Sequence, residues 1–72
     1  MPSKLRRVER LNVTMNIWEP IDFINLRKGD LFRMWEPNGE PVYQDHVQQM
    51  LALSDPFYNH KMKTWGIESK AA

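Results

Sequence analysis

The sequence predicts a mainly β fold: a small five-stranded bent sheet or barrel, with one short helical turn or helix. Three observations support this prediction. The chain has 72 residues and no cysteine, which is enough for one small domain without disulfides. Turn signals recur every 8–14 residues, as in compact β proteins. The apolar residues between the turns mostly alternate, which is the period of a strand.

The first strand is predicted over residues 10–18, where apolar and polar side chains alternate without interruption. One face then carries Leu11, Val13, Met15 and Ile17, and the other carries Asn12, Thr14, Asn16 and Trp18. A helix is excluded because residues two apart point to opposite sides of a helix. Pro20 ends the strand, since proline cannot donate a hydrogen bond to a sheet. No internal repeat is visible in this segment or in a later one.

The connection to the next strand is short and apolar over residues 21–26, and it predicts a packed segment with one turn of 3₁₀ helix. A turn follows at Arg27, Lys28, Gly29 and Asp30. Gly29 supplies the positive φ that a tight reversal often requires. These residues therefore lead the chain directly into the second strand.

The second strand is predicted over residues 31–36 and is expected to be central in the sheet. Phe32 and Met34 share one face of it, and Leu31, Arg33 and Trp35 share the other. Because both faces carry apolar side chains, the strand is expected to be covered on both sides or flanked by neighbours.

Residues 36–40 predict a hairpin turn. Proline, asparagine and glycine at 37, 38 and 39 fit a type I turn closed by a glycine bulge. A two-residue type I′ turn at Asn38-Gly39 is the alternative. Either turn makes a hairpin, with the return strand beginning at residues 41–43.

Residues 44–55 fit two structures. Val47, Met50 and Leu51 have helical spacing, whereas residues 49–54 fit a strand with Leu51 and Leu53 inward. The strand is preferred. After it, residues 57–60 are predicted to form a turn that anchors two aromatic rings. Residues 63–68 are predicted to form the last strand, with Trp65 and Ile67 inward.

The chain is expected to consist of a basic N-terminal arm over residues 1–9, one small β domain over residues 10–69 and a frayed tail over residues 70–72. Residues 1–10 carry four basic and one acidic side chain, whereas residues 11–72 carry six basic and eight acidic. No apolar run approaches the roughly 18 residues of a membrane span, and no apolar signal-peptide core is present. A cytoplasmic protein without membrane attachment is therefore expected.

No catalytic, metal-binding or cofactor-binding constellation is visible, and an enzyme is not expected. The two histidines, His46 and His60, lack the converging ligands that zinc requires. Ser54 and Asp55 near His60 lack the glycine-framed nucleophile turn of a hydrolase, and Ser54 is expected to cap the turn at Asp55-Pro56. Three glycines at separate positions do not make a phosphate-binding loop.

The aromatic and basic residues supply the candidate binding residues. For a protein partner, the predicted contact residues are Trp35, Arg33, Trp18, Arg27 and Lys28. The alternative for Trp35 is that it covers the second side of the sheet, with Arg33 packed along it. The alternative partner is nucleic acid, bound by the arm residues Lys4, Arg6, Arg7 and Arg10 together with the Arg33 and Trp35 surface.

Residues 20–68 resemble small uncharacterised proteins of bacteriophages and prophages. The resemblance rests on the Lys28-Gly29-Asp30 turn, the Phe32-Arg33 strand, the Asn38-Gly39 hairpin and a later Ala-Leu-Ser-Asp-Pro-aromatic segment at residues 52–57. It implies a bacterial host cell and supports a strand at residues 49–54, and it carries no activity. The prediction is a protein–protein interaction module that acts on a host or phage protein, or that pairs with itself as a homodimer.

Overall fold

The computed structural model describes residues 6–72, which form an open five-stranded antiparallel sheet and a separate two-stranded hairpin. The strands are β1 (Arg7–Asn12), β2 (Ile17–Pro20), β3 (Leu31–Trp35), β4 (Met50–Ala52), β5 (Phe57–Asn59), β6 (Thr64–Gly66) and β7 (Ser69–Ala71). The large sheet has the order β2-β1-β3-β4-β7, and β5 pairs only with β6. The predicted mainly β class is confirmed. The barrel alternative is wrong, because β2 and β7 remain the two open edges of the sheet.

The predicted first strand is wrong in its extent, because residues 10–18 turn back on themselves. β1 ends at Asn12, a four-residue loop follows, and β2 begins at Ile17. The Asn12 side-chain oxygen accepts hydrogen bonds from the backbone N–H groups of Thr14 and Met15, each at 3.1 Å. The Asn12 side chain thus accepts hydrogen bonds that a neighbouring strand would otherwise accept. This favours a loop over a continuous strand. Val13 and Met15, predicted to lie on the apolar face of this strand, are 76% and 67% exposed in the loop.

The β1–β2 hairpin changes which side chains lie on the same face of the sheet. Leu11 lies directly opposite Trp18, and Asn12 lies opposite Ile17. Directly opposed residues of an antiparallel pair point to the same side of the sheet. Trp18 therefore shares a face with Leu11, and the predicted grouping of Trp18 with Asn12 is wrong.

The connection from β2 to β3 follows the prediction. Residues Phe23–Asn25 form one turn of 3₁₀ helix, and the Leu26 side chain is completely buried. The turn before β3 is closed by the Asp30 backbone N–H, which donates to the Arg27 carbonyl at 2.9 Å. Gly29 has a φ of 95°, as predicted.

β3 is central, as predicted, because it pairs with β1 on one side and with β4 on the other. Its Phe32 and Met34 side chains point to the buried side. The core on this side consists of Val8, Leu26, Phe32, Met34, Met50 and Ala52, flanked by the partly buried Ile21, Phe23, Val42 and Ile67. The sheet thus has one covered face, which we call the inner face.

The turn at residues 36–40 confirms the type I turn with a glycine bulge. The Gly39 N–H donates to the Glu36 carbonyl at 2.8 Å, the Glu36 N–H donates to the Glu40 carbonyl at 2.7 Å, and Gly39 has a φ of 91°. The return segment is shorter than predicted. It contributes one bridge between Pro41 and Trp35 before the chain leaves the sheet.

The strand preferred for residues 49–54 is confirmed as β4, but its predicted inward residues are wrong. Met50 and Ala52 are buried, whereas Leu53 is exposed. The pairing of Met50 with Phe32 places Met50 on the inner face. The register of β4 with β3 decides which β4 side chains face the core, because a shift of the register by one residue moves every side chain to the other face.

Three predictions for the last part of the chain are wrong. Residues 57–59 form β5 rather than a turn, and Trp65 in β6 is half-exposed rather than inward. β6 is also not the last strand, because residues 69–71 pair with β4 as β7. The tail expected to fray is held further by the Ala72 N–H, which donates to the Gln49 carbonyl at 3.0 Å.

The hairpins β1–β2 and β5–β6 have the same loop, which corrects the expectation of no internal repeat. In the second loop the Asn59 side-chain oxygen accepts from the N–H groups of Lys61 and Met62, at 3.0 and 3.1 Å. The fourth loop residue has a positive φ in both hairpins, 55° at Asn16 and 53° at Lys63. Both segments read Asn-x-x-Met-x-x-Trp, at residues 12–18 and 59–65.

The boundary predicted between arm and domain is also displaced. β1 begins at Arg7, and Val8 is buried in the core, so residues 7–9 belong to the sheet rather than to an arm. Lys4 lies outside the described residues. Within residues 6–72, no helix is long and apolar enough to cross a membrane.

Candidate functional site

The face of the sheet opposite the core, which we call the outer face, carries three of the five residues predicted to contact a protein partner. The strand register places on it the side chains of Arg7, Glu9, Leu11, Trp18, Leu31, Arg33, Trp35, Leu51 and Lys70. None of these side chains is fully buried. The outer face is therefore a partly apolar surface rather than a second core.

Four planar side chains on this face stack in a row, which we call the Arg/Trp ladder: Arg7, Trp35, Arg33 and Trp18. The Arg7 guanidinium carbon lies 4.2 Å from the centre of the Trp35 ring. The Arg33 guanidinium carbon lies 4.3 Å from the Trp18 ring centre and 5.3 Å from the Trp35 ring centre. Guanidinium groups at these distances are attracted to the negative faces of the rings. Arg33 thus joins two tryptophans that are 17 residues apart in the sequence.

Glu9 fixes the middle of the ladder. Its Oε1 accepts from Arg33 Nε at 2.9 Å and lies 2.8 Å from Arg33 Nη2. Its Oε2 lies 3.8 Å from Arg7 Nη2. The two contacts to Arg33 are charge-assisted and use two donors of the guanidinium fork, which restricts its orientation. The group of Arg7, Glu9 and Arg33 keeps one net positive charge.

The shared face of Arg33 and Trp35 confirms the alternation read from the sequence. The ladder contacts also agree with the expectation that Trp35 covers the second side of the sheet beside Arg33. Trp35 can cover the sheet and also contact a partner, because the ladder side chains remain accessible to solvent. The ladder can offer a partner flat rings and a guanidinium whose positions are already fixed.

Arg27 and Lys28 are not part of the ladder. The Arg27 guanidinium donates to the carbonyl oxygens of Ile24 and Leu26, at 3.0 and 2.7 Å. The Lys28 backbone N–H donates to Asp55 Oδ1 at 2.9 Å. Both residues hold the loop between the 3₁₀ turn and β3, and none of these contacts involves the ladder.

The arginines proposed for nucleic acid are paired with carboxylates. Arg6 Nη2 lies 3.2 Å from Glu36 Oε1. Arg10 lies 4.0 Å from Glu19 and 3.8 Å from Asp30. With Arg7 on Glu9, every described arginine of this group has an acidic neighbour, which reduces the positive potential that a phosphate would meet.

The sequence reading missed a second surface, the hairpin formed by β5 and β6, which we call the aromatic hairpin (residues 57–66). Tyr58 and Trp65 are opposed across it, with ring centres 5.6 Å apart in an edge-to-face arrangement. Tyr58 also meets His60 edge-to-face at 4.9 Å. The signal that could have revealed this surface is charge, because residues 56–67 contain two lysines and no acidic residue.

An open groove of about 1460 Å³ runs between the aromatic hairpin and the 3₁₀ turn, on the side of the inner face. Tyr58, Lys63 and Trp65 line it from the hairpin. Ile24 and Phe23 line it from the 3₁₀ turn. The groove therefore joins the second surface to the partly covered side of the sheet.

Ser54 is engaged by the backbone. Its hydroxyl donates to the Asp55 carbonyl at 3.0 Å, which agrees with the predicted capping role, and accepts from the Glu68 N–H at 3.1 Å. Over residues 6–72, no group of three or more histidine, cysteine, aspartate or glutamate side chains is arranged to hold a metal ion.

Comparison with known proteins supplies no relative: the chain matches no protein-family model, no curated protein and no solved structure.

Proposed function

We propose that this protein is a small non-enzymatic module that binds a partner protein through the outer face of its sheet. The observation that carries the proposal is the Arg/Trp ladder, together with the contacts that Glu9 makes to its two arginines. Tryptophan and arginine are enriched among the residues that dominate the binding energy of protein interfaces.

The ladder supports binding because its side chains are already ordered. A flexible arginine or tryptophan loses rotamer freedom when a partner immobilises it, at a cost of about 0.5–1.5 kcal/mol for each side chain. Here the guanidinium of Arg33 is held between Trp18, Trp35 and Glu9 before a partner arrives. Less of the binding energy is then lost to ordering.

The partner that we propose is a host or phage protein in the cytoplasm of a bacterial cell. The resemblance of residues 20–68 to small bacteriophage proteins supports this setting. A second copy of the chain is the alternative partner, because a 72-residue chain has a small core that gains stability from association. The net positive charge of the ladder favours a partner surface that carries acidic residues.

The alternative function is nucleic-acid binding through Lys4, Arg6, Arg7 and Arg10 with Arg33 and Trp35. It has less support, because the described arginines of this group, and Arg33, each lie beside a carboxylate. A phosphate would have to displace Glu9 or compete with it at the centre of the ladder.

The first prediction is that Arg33→Ala combined with Trp35→Ala abolishes binding of the partner and leaves the protein folded. Loss of one residue of this kind at the centre of an interface costs about 2 kcal/mol or more, which lowers affinity about 30-fold. Affinity capture from bacterial lysate, followed by mass spectrometry, would identify the partner. Titration calorimetry with the purified partner would then compare the variants.

The matched control is Lys63→Ala combined with Trp65→Ala, which removes one cation and one tryptophan from the aromatic hairpin instead. This variant should keep the partner. Arg7→Glu serves as a second ladder variant because the Arg7 side chain is 65% exposed, so its replacement should weaken binding without loss of stability. If the double variant is unfolded and Arg7→Glu binds the partner as tightly as the wild type does, the ladder has only a structural role.

The alternative partner is a second copy of the chain. Light scattering of the wild type tests it, because the measured mass shows whether the protein is a homodimer.

A further inference from the structure

The aromatic hairpin has no part in the proposed protein interface, yet it exposes several large side chains. Tyr58 and Trp65 are 41% and 48% exposed, and Met62 in the loop is 73% exposed. An isolated two-stranded hairpin does not bury these groups by itself. The hairpin therefore presents rings and a flexible thioether to solvent.

The charge of the hairpin differs from that of the rest of the surface. Lys61 and Lys63 lie in its loop, and no ion pair forms at either residue within residues 6–72. The arginines of β1, in contrast, are each beside a carboxylate. Two cations without an acidic neighbour in the same segment form a local positive patch in a chain whose formal net charge is only +1.

The groove extends this patch toward the sheet. Its charged lining residues are Arg6, Arg7 and Lys63 on the positive side and Asp22 on the negative side. Because Arg6 and Arg7 lie beside Glu36 and Glu9, Lys63 is the lining cation without an ion pair within residues 6–72. Lys63, with Tyr58 and Trp65 on the same wall, combines two features of single-strand binding sites. Such sites use a positive groove to follow the phosphates and aromatic rings to stack the bases.

We propose that the aromatic hairpin and its groove bind single-stranded nucleic acid. Bases stack on Trp65 and Tyr58, and phosphates lie near Lys61 and Lys63. A single strand fits better than a duplex, because the rings can stack only on bases whose faces are not already covered by neighbours. Charge complementarity favours nucleic acid over an apolar peptide, which would have no use for the two lysines.

Fluorescence anisotropy of labelled oligothymidylate and oligouridylate of about ten nucleotides tests the proposal, with the matching duplex as competitor. The wild type should bind a single strand at about 50 mM salt and lose most of that affinity at about 200 mM. The two oligonucleotides separate DNA from RNA as the preferred ligand. Binding that is absent at low salt, or equally tight to the duplex, would overturn the proposal.

Variants locate the site. Trp65→Ala should lower the affinity about 5-fold to 150-fold through loss of stacking, and Trp65→Phe should retain most of the affinity because a ring remains. Lys61→Gln combined with Lys63→Gln should reduce the slope of log affinity against log salt by about 1.4, since each phosphate contact contributes about 0.7 in single strands.

The matched control for charge is Lys28→Gln combined with Lys70→Gln, which removes two exposed lysines that lie outside residues 57–66. This control should keep the wild-type affinity and salt slope. An equal loss in the control and the hairpin variant would mean general electrostatic attraction and would also overturn the site. Circular dichroism confirms that each variant remains folded. Because the ladder is intact in all of these variants, failure here leaves the proposed protein interface standing.

Discussion

At the scale of single residues, the side chains of two asparagines determine where the chain reverses its direction. Asn12 and Asn59 each end a strand and accept two backbone hydrogen bonds from the loop that follows. The side-chain oxygen satisfies N–H groups that would otherwise need a partner from another strand. Each asparagine thereby converts an extended segment into a hairpin.

The two asparagines provide a matched pair of substitutions. Asn12→Ala should destabilise the protein by about 1–2 kcal/mol, because two N–H groups of the β1–β2 loop lose their acceptor. In a chain of this length, 1 kcal/mol lowers the melting temperature by about 4–8 °C. Asn59→Ala should lower it less, because β5 and β6 pair only with each other. Thermal unfolding followed by circular dichroism measures both effects.

Asn12→Asp is the control for this comparison, since it keeps an oxygen acceptor at the same position. It should retain most of the stability lost in Asn12→Ala. Equal melting temperatures for Asn12→Ala and the wild type would show that the loop hydrogen bonds contribute nothing to the fold.

At the scale of elements, the repeated loop explains why the first strand was predicted too long. Alternation continues through Val13 and Met15, so the periodicity alone does not reveal the reversal. The repeated spacing of asparagine, methionine and tryptophan at residues 12–18 and 59–65 does contain that information. A comparison of these two segments in the sequence indicates that both adopt the same local structure.

Elements fixed by local chemistry were predictable from the sequence, and elements fixed by distant partners were not. The turn at Gly29 and the bulge at Gly39 follow from residues within the turn itself. The inward side chains of β4 depend on its register with Phe32, and β7 depends on the edge that β4 offers. The Ser-Lys-Ala segment of β7 has no apolar pattern that would predict a strand.

The candidate site likewise has a part that is predictable from neighbouring residues and a part that depends on distant strand pairing. Arg33 and Trp35 were placed together because they are two apart in one strand, which puts them on one face. The contact of Arg33 with Glu9 depends on the pairing of β1 with β3. The sequence predicts a turn and a last strand over residues 57–66, with Trp65 inward, so it does not reveal the pairing of Tyr58 with Trp65 across the aromatic hairpin.

The position of β1 in the sheet gives a prediction for the N-terminal segment. Deletion of residues 1–9 should destabilise the protein strongly, because it removes Val8 from the core and the pairing of Arg7, Val8 and Glu9 with β3. Urea unfolding measures the loss. Val8→Ala is the reference variant, since it removes apolar contacts and keeps the strand. A deletion that costs no more than Val8→Ala would show that the pairing of residues 7–9 adds no stability.

At the scale of the whole molecule, the core within residues 6–72 consists of five buried side chains on the inner face of the sheet and of Leu26 from the connection before β3. Phe32 is the largest of them and is completely buried. Phe32→Ala should cost about 3–5 kcal/mol. A chain of 72 residues has a total stability of about 4–11 kcal/mol. This single substitution should therefore remove about a third or more of the free energy of unfolding, as measured by chemical denaturation.

Phe57→Ala is the matched control, because the same ring is removed from a site that is 45% exposed. It should cost less than about 1 kcal/mol, as for an ordinary surface substitution. Similar losses at Phe32 and Phe57 would contradict a core confined to the inner face.

The two proposed surfaces lie on opposite sides of the same sheet. The Arg/Trp ladder occupies the outer face, whereas Val8 and Met34 of the inner face line the groove beside the aromatic hairpin. Arg7 belongs to both sites and lies at the rim between them. A partner protein and a single strand would therefore approach from different directions, and Arg7 is the ladder residue that both would contact.

The chain leaves the large sheet after β4 and returns before β7, and the two points are joined. The Leu53 N–H donates to the Glu68 carbonyl at 2.8 Å, so the intervening segment begins and ends at one place. Among residues 54–67, Ile67 packs against the core. The sheet consequently has a built-in insertion point. Residues 54–67 can therefore be lengthened or replaced without a change in the strand order of the large sheet, so the surface that the hairpin presents is structurally independent of the scaffold that carries it.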